Sequence, residues 1–123
     1  MTKLIFPELS YRIIGVLYEV YNELGYGHRE IVYQRAIEEV LKEKEISYKR
    51  ELYFPIYFKD KLISKYFLDF LIEDKVVLEL KVAKDFYQSD VNQILAYLKT
   101  KNYRLGILGI FTQDGLKYRR ILN

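Results

Sequence analysis

Three charged residues interrupt two runs that are otherwise apolar. Asp69 sits inside Tyr66-Phe67-Leu68-Asp69-Phe70-Leu71-Ile72, and Glu79 and Lys81 sit inside Val76-Val77-Leu78-Glu79-Leu80-Lys81-Val82. Side chains alternate along a strand, so Glu79 and Lys81 share a face with Val77 while the other face is wholly apolar. Such a run reads as a buried strand, where an unpaired charge is costly and is kept only if it pairs or binds a metal. Asp69 and Glu79 are ten residues apart across one turn, which can set two strands side by side with a carboxylate from each. The pair, completed by the Leu80 carbonyl, can hold a divalent cation. Lys81, pointing the same way as Glu79, can then hold an attacking water or stabilise charge growing on a phosphate. The competing reading is a buried ion pair of Asp69 with Lys81, or solvated charges on edge strands.

The elements that must position this set follow from periodicity. Pro7 and Glu8 suit a first helical turn, and Leu9, Ile13, Val16, Leu17, Val20 and Leu24 keep helical spacing up to Gly25. A second helix is expected from Arg29 to Glu45, burying Val32, Ala36, Ile37, Val40 and Leu41. Tyr48 to Phe58 reads as a strand in which Pro55 marks an edge or a bulge, and Lys59-Asp60-Lys61 as a hairpin turn. The two charge-bearing strands follow, joined at Glu73-Asp74-Lys75. A third helix spans Asp85 to Lys101, a strand runs from Tyr103 to Phe111, and a last short strand from Lys117 to Leu122. The order α-α-β-β-β-α-β-β describes an α/β (α+β) chain, helices packed on a mixed sheet. On the third helix Asp90, Gln93 and Tyr97 fall at i, i+3 and i+7, a face distinct from the apolar stripe Val91, Ile94, Leu95 and Leu98. Gln93 and Tyr97 could there orient water or contact a phosphate; the plainer account is a solvated face with Tyr97 half-buried.

Composition narrows the chemistry. The 123 residues make one domain, with no cysteine and one histidine, His28. Thiolate zinc sites, cysteine nucleophiles and Ser-His-Asp hydrolases are set aside. A metal must then sit on carboxylates and carbonyls, which suits Mg²⁺ or Mn²⁺. The net charge of +3 permits nucleic acid as partner without demanding it. No apolar run approaches the roughly 18 residues of a membrane span. The stretch from Met1 to Pro7 has no signal-peptide core, so the expected location is the cytoplasm, with no membrane partner.

Gly27-His28-Arg29-Glu30-Ile31-Val32-Tyr33 fits Gly-x-x-Glu-x-x-Tyr, and with Asp69, Glu79-Leu80-Lys81 and Gln93-x-x-x-Tyr97 the chain resembles the GxxExxY protein family. That family is grouped with the PD-(D/E)XK nuclease superfamily. The resemblance covers nearly the whole chain and implies a restriction-endonuclease-like core. It implies that Asp69, Glu79 and Lys81 are the catalytic acid, acid and lysine, that Glu30 is a helical glutamate reaching the metal site, and that Gln93 follows the Glu-x-Lys strand as in such enzymes. On physical grounds alone Glu30 is a first-turn acid favoured by the helix dipole, and Tyr33 is core packing. The chain departs from the family at Asp90, where histidine is common, and at Ile110, where asparagine is common.

Two functions are carried forward. One is a Mg²⁺-dependent nuclease hydrolysing phosphodiester bonds in DNA, with metal on Glu30, Asp69, Glu79 and the Leu80 carbonyl. The alternative is a catalytically inactive module of the same fold that binds nucleic acid or protein. A chain this small would use a second copy to grip a duplex, and Holliday-junction resolvases of similar fold are dimers, so a homodimer is one expected form.

Overall fold

The computed structural model describes residues 5–123. Residues 1–4, part of the stretch read above for a leader, lie outside the described residues. Eight elements follow in the expected order. Helix α1 (Pro7–Leu24) opens on Pro7, whose missing N–H is no loss in a first turn. It ends at Gly25, whose φ of 70° few side chains tolerate and whose N–H reaches the Tyr21 carbonyl at 2.8 Å. Helix α2 (Glu30–Glu43) buries Tyr33, Ile37 and Leu41, while Val32, Ala36 and Val40 are only half-buried.

The chain then runs as a meander of β1 (Tyr48–Phe58), β2 (Lys61–Ile72) and β3 (Val76–Val82). Both turns, at Lys59-Asp60 and Glu73-Asp74, place two successive residues at positive φ, the backbone that matches the twist of a tight hairpin. Helix α3 (Gln88–Lys101) crosses over to β4 (Leu105–Thr112), and β5 (Gly115–Leu122) turns back. The sheet order is β1-β2-β3-β4-β5, with β3 and β4 parallel and the other neighbours antiparallel.

Helices α1 and α2 cover one face of the sheet, over Val76, Leu78, Leu80, Leu105 and Ile107. Helix α3 covers the other, over Leu71, Val77, Leu108 and Ile110. Strand β4 is buried throughout, and two glycines let both layers close on it. A Cβ on Gly106 would stand 2.5 Å from Ile94 of α3, and one on Gly109 3.1 Å from Leu17 of α1. Among the described residues no helix is long and apolar enough to cross a membrane.

One irregularity decides the site. The β2–β3 ladder holds only from Phe70↔Leu78 to Ile72↔Val76, whereas β1 and β2 stay paired out to Phe58↔Lys61. At Glu51 (φ 55°) and its neighbour Asp69 both strands change faces. Phe70 and Ile72 pack under α1 and α2, while Leu52, Phe54 and Leu68 pack under α3. Beyond that crossover β1 and β2 leave the sheet as a two-stranded arm.

Candidate active site

Where β2 parts from β3, backbone groups lose their ladder partners, and carboxylates take them. The Leu80 N–H donates to Asp69 Oδ2 at 2.8 Å, and the Asp69 N–H donates to Glu79 Oε1 at 3.0 Å. Two residues on, the Val82 N–H donates to Glu30 Oε1 at 3.1 Å. Alternate residues of a strand turn their N–H and C=O to one edge, so the Leu80 carbonyl faces the same gap as the Asp69 carboxylate. Asp69, Glu79 and Leu80 are therefore brought together, and Glu30 lines the same strand edge one step away.

Glu79 is the costly member. Its side chain is 4% exposed. Burial first, and then the neighbouring Asp69 carboxyl, push its pKa far above the usual carboxylate range, against the pull of Lys81. Buried beside a second carboxyl, Glu79 holds its proton unless a cation replaces it. The donor set is all oxygen, from two carboxylates and a backbone carbonyl. That fits Mg²⁺ or Mn²⁺, which keep several waters and take few protein ligands beside a substrate phosphate. Among the described residues no three acids or histidines cluster closely enough to hold a metal by side chains alone.

Lys81 does not pair with Asp69, as the competing reading had it. Its Nζ lies 4.0 Å from Asp90 Oδ1 on α3, so this face of α3 overlies the Glu79–Lys81 side of β3. Gln93 is one turn further along that face and half-buried. Ile110 stands opposite Lys81 in the parallel ladder and is fully buried, so the position where asparagine was expected adjoins the lysine with no polar group. Tyr97 is more deeply buried than a half-buried residue on a solvated face would be. It is 5% exposed and belongs to the core, its ring 5.4 Å from Phe54 and 6.2 Å from Tyr103. The arm folding over α3 widens the buried stripe of this helix beyond its own periodicity, and the Tyr97 ring packs within it.

A chain of polar side chains missed in the sequence backs the site. Gln34 Nε2 donates to Asp69 Oδ1 at 2.9 Å, and Arg50 Nη2 donates to Gln34 Oε1 at 2.9 Å. Arg50 Nη1 and the Tyr48 hydroxyl both donate to Glu38, at 3.3 and 2.7 Å. The Tyr48 hydrogen bond, and then Arg50, hold the Glu38 pKa below its usual value against the opposing effect of burial, while burial and Glu38 push Tyr48 up to about 12. The available signal was spacing: Glu30, Gln34 and Glu38 recur every four residues on α2, beside its apolar stripe.

The Gly-x-x-Glu-x-x-Tyr segment has a mechanical reading. Gly27 has a φ of 115° in the α1–α2 loop. Tyr33 stacks on Phe111, ring centroids 4.1 Å apart, and its hydroxyl donates to the Gly25 carbonyl at 2.5 Å. The tyrosine thus ties down the loop that sets where α2 begins, and α2 begins at Glu30.

A search of curated proteins finds no match. Among solved structures, "Crystal structure of SSO0001" is similar with a TM-score of 0.60 and 17% identity, covering 94% of this chain and 78% of that one. At that identity the likeness speaks to the fold alone, a restriction-endonuclease-like mixed sheet flanked by helices. A family profile described as the PD-(D/E)XK nuclease superfamily matches residues 7–121, from the first residue of α1 into β5, and the chain belongs to that superfamily.

Proposed function

We propose that the chain is a metal-dependent nuclease that hydrolyses phosphodiester bonds in nucleic acid, DNA in the first instance. The observation that carries the reading is the carboxylate pair, Asp69 and Glu79, at the parting of β2 and β3 with Lys81 beside it. Asp69, Glu79 and the Leu80 carbonyl would hold Mg²⁺ or Mn²⁺, with Glu30 reached by release of its bond to the Val82 N–H. Bound there, the metal would supply charge stabilisation at the phosphate and activate a water. Lys81 donates hydrogen bonds to that water or to a phosphate oxygen, and Asp90 keeps its ammonium at the edge of the site. Gln93 orients the same water from α3. Within the superfamily we place the chain with the GxxExxY proteins, on Gly27, Glu30 and Tyr33, and a homodimer is the assembly that would span a duplex.

Calorimetry with Mn²⁺ should show binding by the wild type that Asp69→Ala and Glu79→Ala abolish. Cleavage of DNA should need the metal, stop with EDTA, and fall by about 10³-fold or more in either variant, since the metal is worth several kcal/mol of charge stabilisation. An intact metal site with no cleavage of any DNA or RNA would favour the second reading, a nuclease-fold module that binds without turnover. What favours that reading is the Lys81–Asp90 pair with Ile110 beside it, which leaves the lysine without a polar partner on β4.

A further inference from the structure

The arm of β1 and β2 carries a surface that the carboxylate pair does not use. One of its faces packs Phe54, Ile56 and Tyr66 against the α3 layer. On the other face the register sets Tyr53 opposite Phe67, Pro55 opposite Lys65 and Tyr57 opposite Leu62, with Ile63 the extra residue of a bulge. Tyr53, Tyr57, Leu62, Ile63 and Phe67 on this face are all exposed, as is Phe58 at the tip of the arm. They are six of the twelve large apolar side chains exposed among the described residues, and such clustering marks a contact surface.

We propose that this outer face is a stacking platform for unpaired bases, so that the substrate is nucleic acid that is single-stranded beside the cleaved bond. The proposal rests on the nuclease reading for its placement of the phosphate. Three observations select this occupant. Lys65 stands on this face opposite Pro55, and Lys59 and Lys61 are exposed at the tip of the arm, where Lys59 Nζ lies 5.5 Å from the Phe58 ring centroid. Aromatic faces beside a cationic track suit bases and backbone of a single strand, whereas a duplex hides its base faces. The platform is also continuous with the site, because Phe67 precedes Asp69 by two residues on the same strand. A strand whose phosphate lies at Asp69 would set its next bases on Phe67 and Tyr53, whose rings are 5.5 Å apart. A second copy of the chain fits less well. A two-fold contact would press each lysine patch on its own image, and Pro55 has no N–H to offer along the outer edge of β1.

The test is fluorescence anisotropy in EDTA with labelled 20-nucleotide oligothymidylate, oligouridylate and a blunt duplex of equal length. The single strands should bind at least tenfold more tightly than the duplex, and the two oligonucleotides separate DNA from RNA preference. Phe67→Ala and Tyr57→Ala should each weaken single-strand binding on the order of tenfold, the range of base–aromatic stacking, with duplex binding and Tm unchanged. Phe67→Trp should retain it. Equal binding of duplex and single strand, or alanine variants that bind as the wild type does, overturns the proposal. So does a dimer in sedimentation that Phe67→Ala dissolves while oligonucleotide binding persists. Binding in EDTA needs no metal, so wild-type protein that binds single strands through Phe67 yet cleaves no DNA or RNA in Mg²⁺ or Mn²⁺ rejects the nuclease reading and leaves the platform standing.

Discussion

At the residue scale, the site is built on a conflict that the fold tolerates. Glu79 and Asp69 each accept a backbone N–H left over where the ladder ends, which fixes both carboxyls in place. The geometry that satisfies those donors also sets two acids together out of water, with Tyr66 of β2 and Lys81 of β3 beside them and Asp90 of α3 on the lysine. Because its folded-state pKa is raised, the Glu79 carboxyl keeps a proton that the unfolded chain has released. Stability from this residue is therefore full at acid pH and is lost as pH rises above the usual carboxylate range. Thermal melts in EDTA should show Tm falling between about pH 5 and pH 8, and Glu79→Gln, which cannot ionise, should flatten that slope. Added Mg²⁺ should raise Tm more at the alkaline end, where it competes less with the proton. A wild-type slope equal to that of Glu79→Gln would show that Glu79 does not keep its proton in the fold.

At the element scale, α2 acts as a polar seam laid along the sheet. Its side chains at intervals of four reach β3 through Glu30, β2 through Gln34 and β1 through Glu38. The middle contact sets the orientation of Asp69, and Gln34 is in turn held by Arg50. Gln34→Leu keeps much of the volume but removes the donor to Asp69 and the acceptor for Arg50. Groups that support metal ligands in this way typically account for about 10–100-fold in affinity. Calorimetry should therefore show Mn²⁺ binding weakened by at least tenfold in Gln34→Leu, and the melt in EDTA checks the fold separately. Affinity unchanged despite a lowered Tm would reduce Gln34 to a packing role. Arg50, with its guanidinium 4.9 Å over the Phe70 ring, is anchored on two sides, so the seam is rigid where it meets the meander.

For the whole molecule, the order of elements was legible because apolar periodicity changes from 3.6 to 2 and back along the chain, with Gly25 and the paired turns as punctuation. Asp69, Glu79 and Lys81 were legible because each contradicts its own apolar surroundings. Gln34 and Arg50 were not, since a glutamine on a helix and an arginine on a strand look like solvated surface until β1 is laid beside α2. The crossover at Glu51 had no sign either: a glutamate at positive φ is a consequence of the meander's twist, not of local propensity. The depth of Tyr97 was not legible for a related reason, because the arm that buries it is set by that crossover. The short separation of the two carboxylates has one further consequence, which concerns time. Asp69 and Glu79 are joined by a ten-residue hairpin, whereas Glu30 must find Val82 across 52 residues and β4 can dock on β3 only after α3 is spanned. Closing the longer loop costs about 1.5 kcal/mol more chain entropy than closing the hairpin. We therefore expect the two carboxylates to meet early in folding, before α2 or β4 covers them. Stopped-flow refolding should then speed up in Mg²⁺ with unfolding little changed, the signature of an interaction already made in the transition state, whereas a cation that only slows unfolding would place assembly of the pair after the barrier. On this account a cation that serves the finished site also acts as an early guide to the chain that builds it.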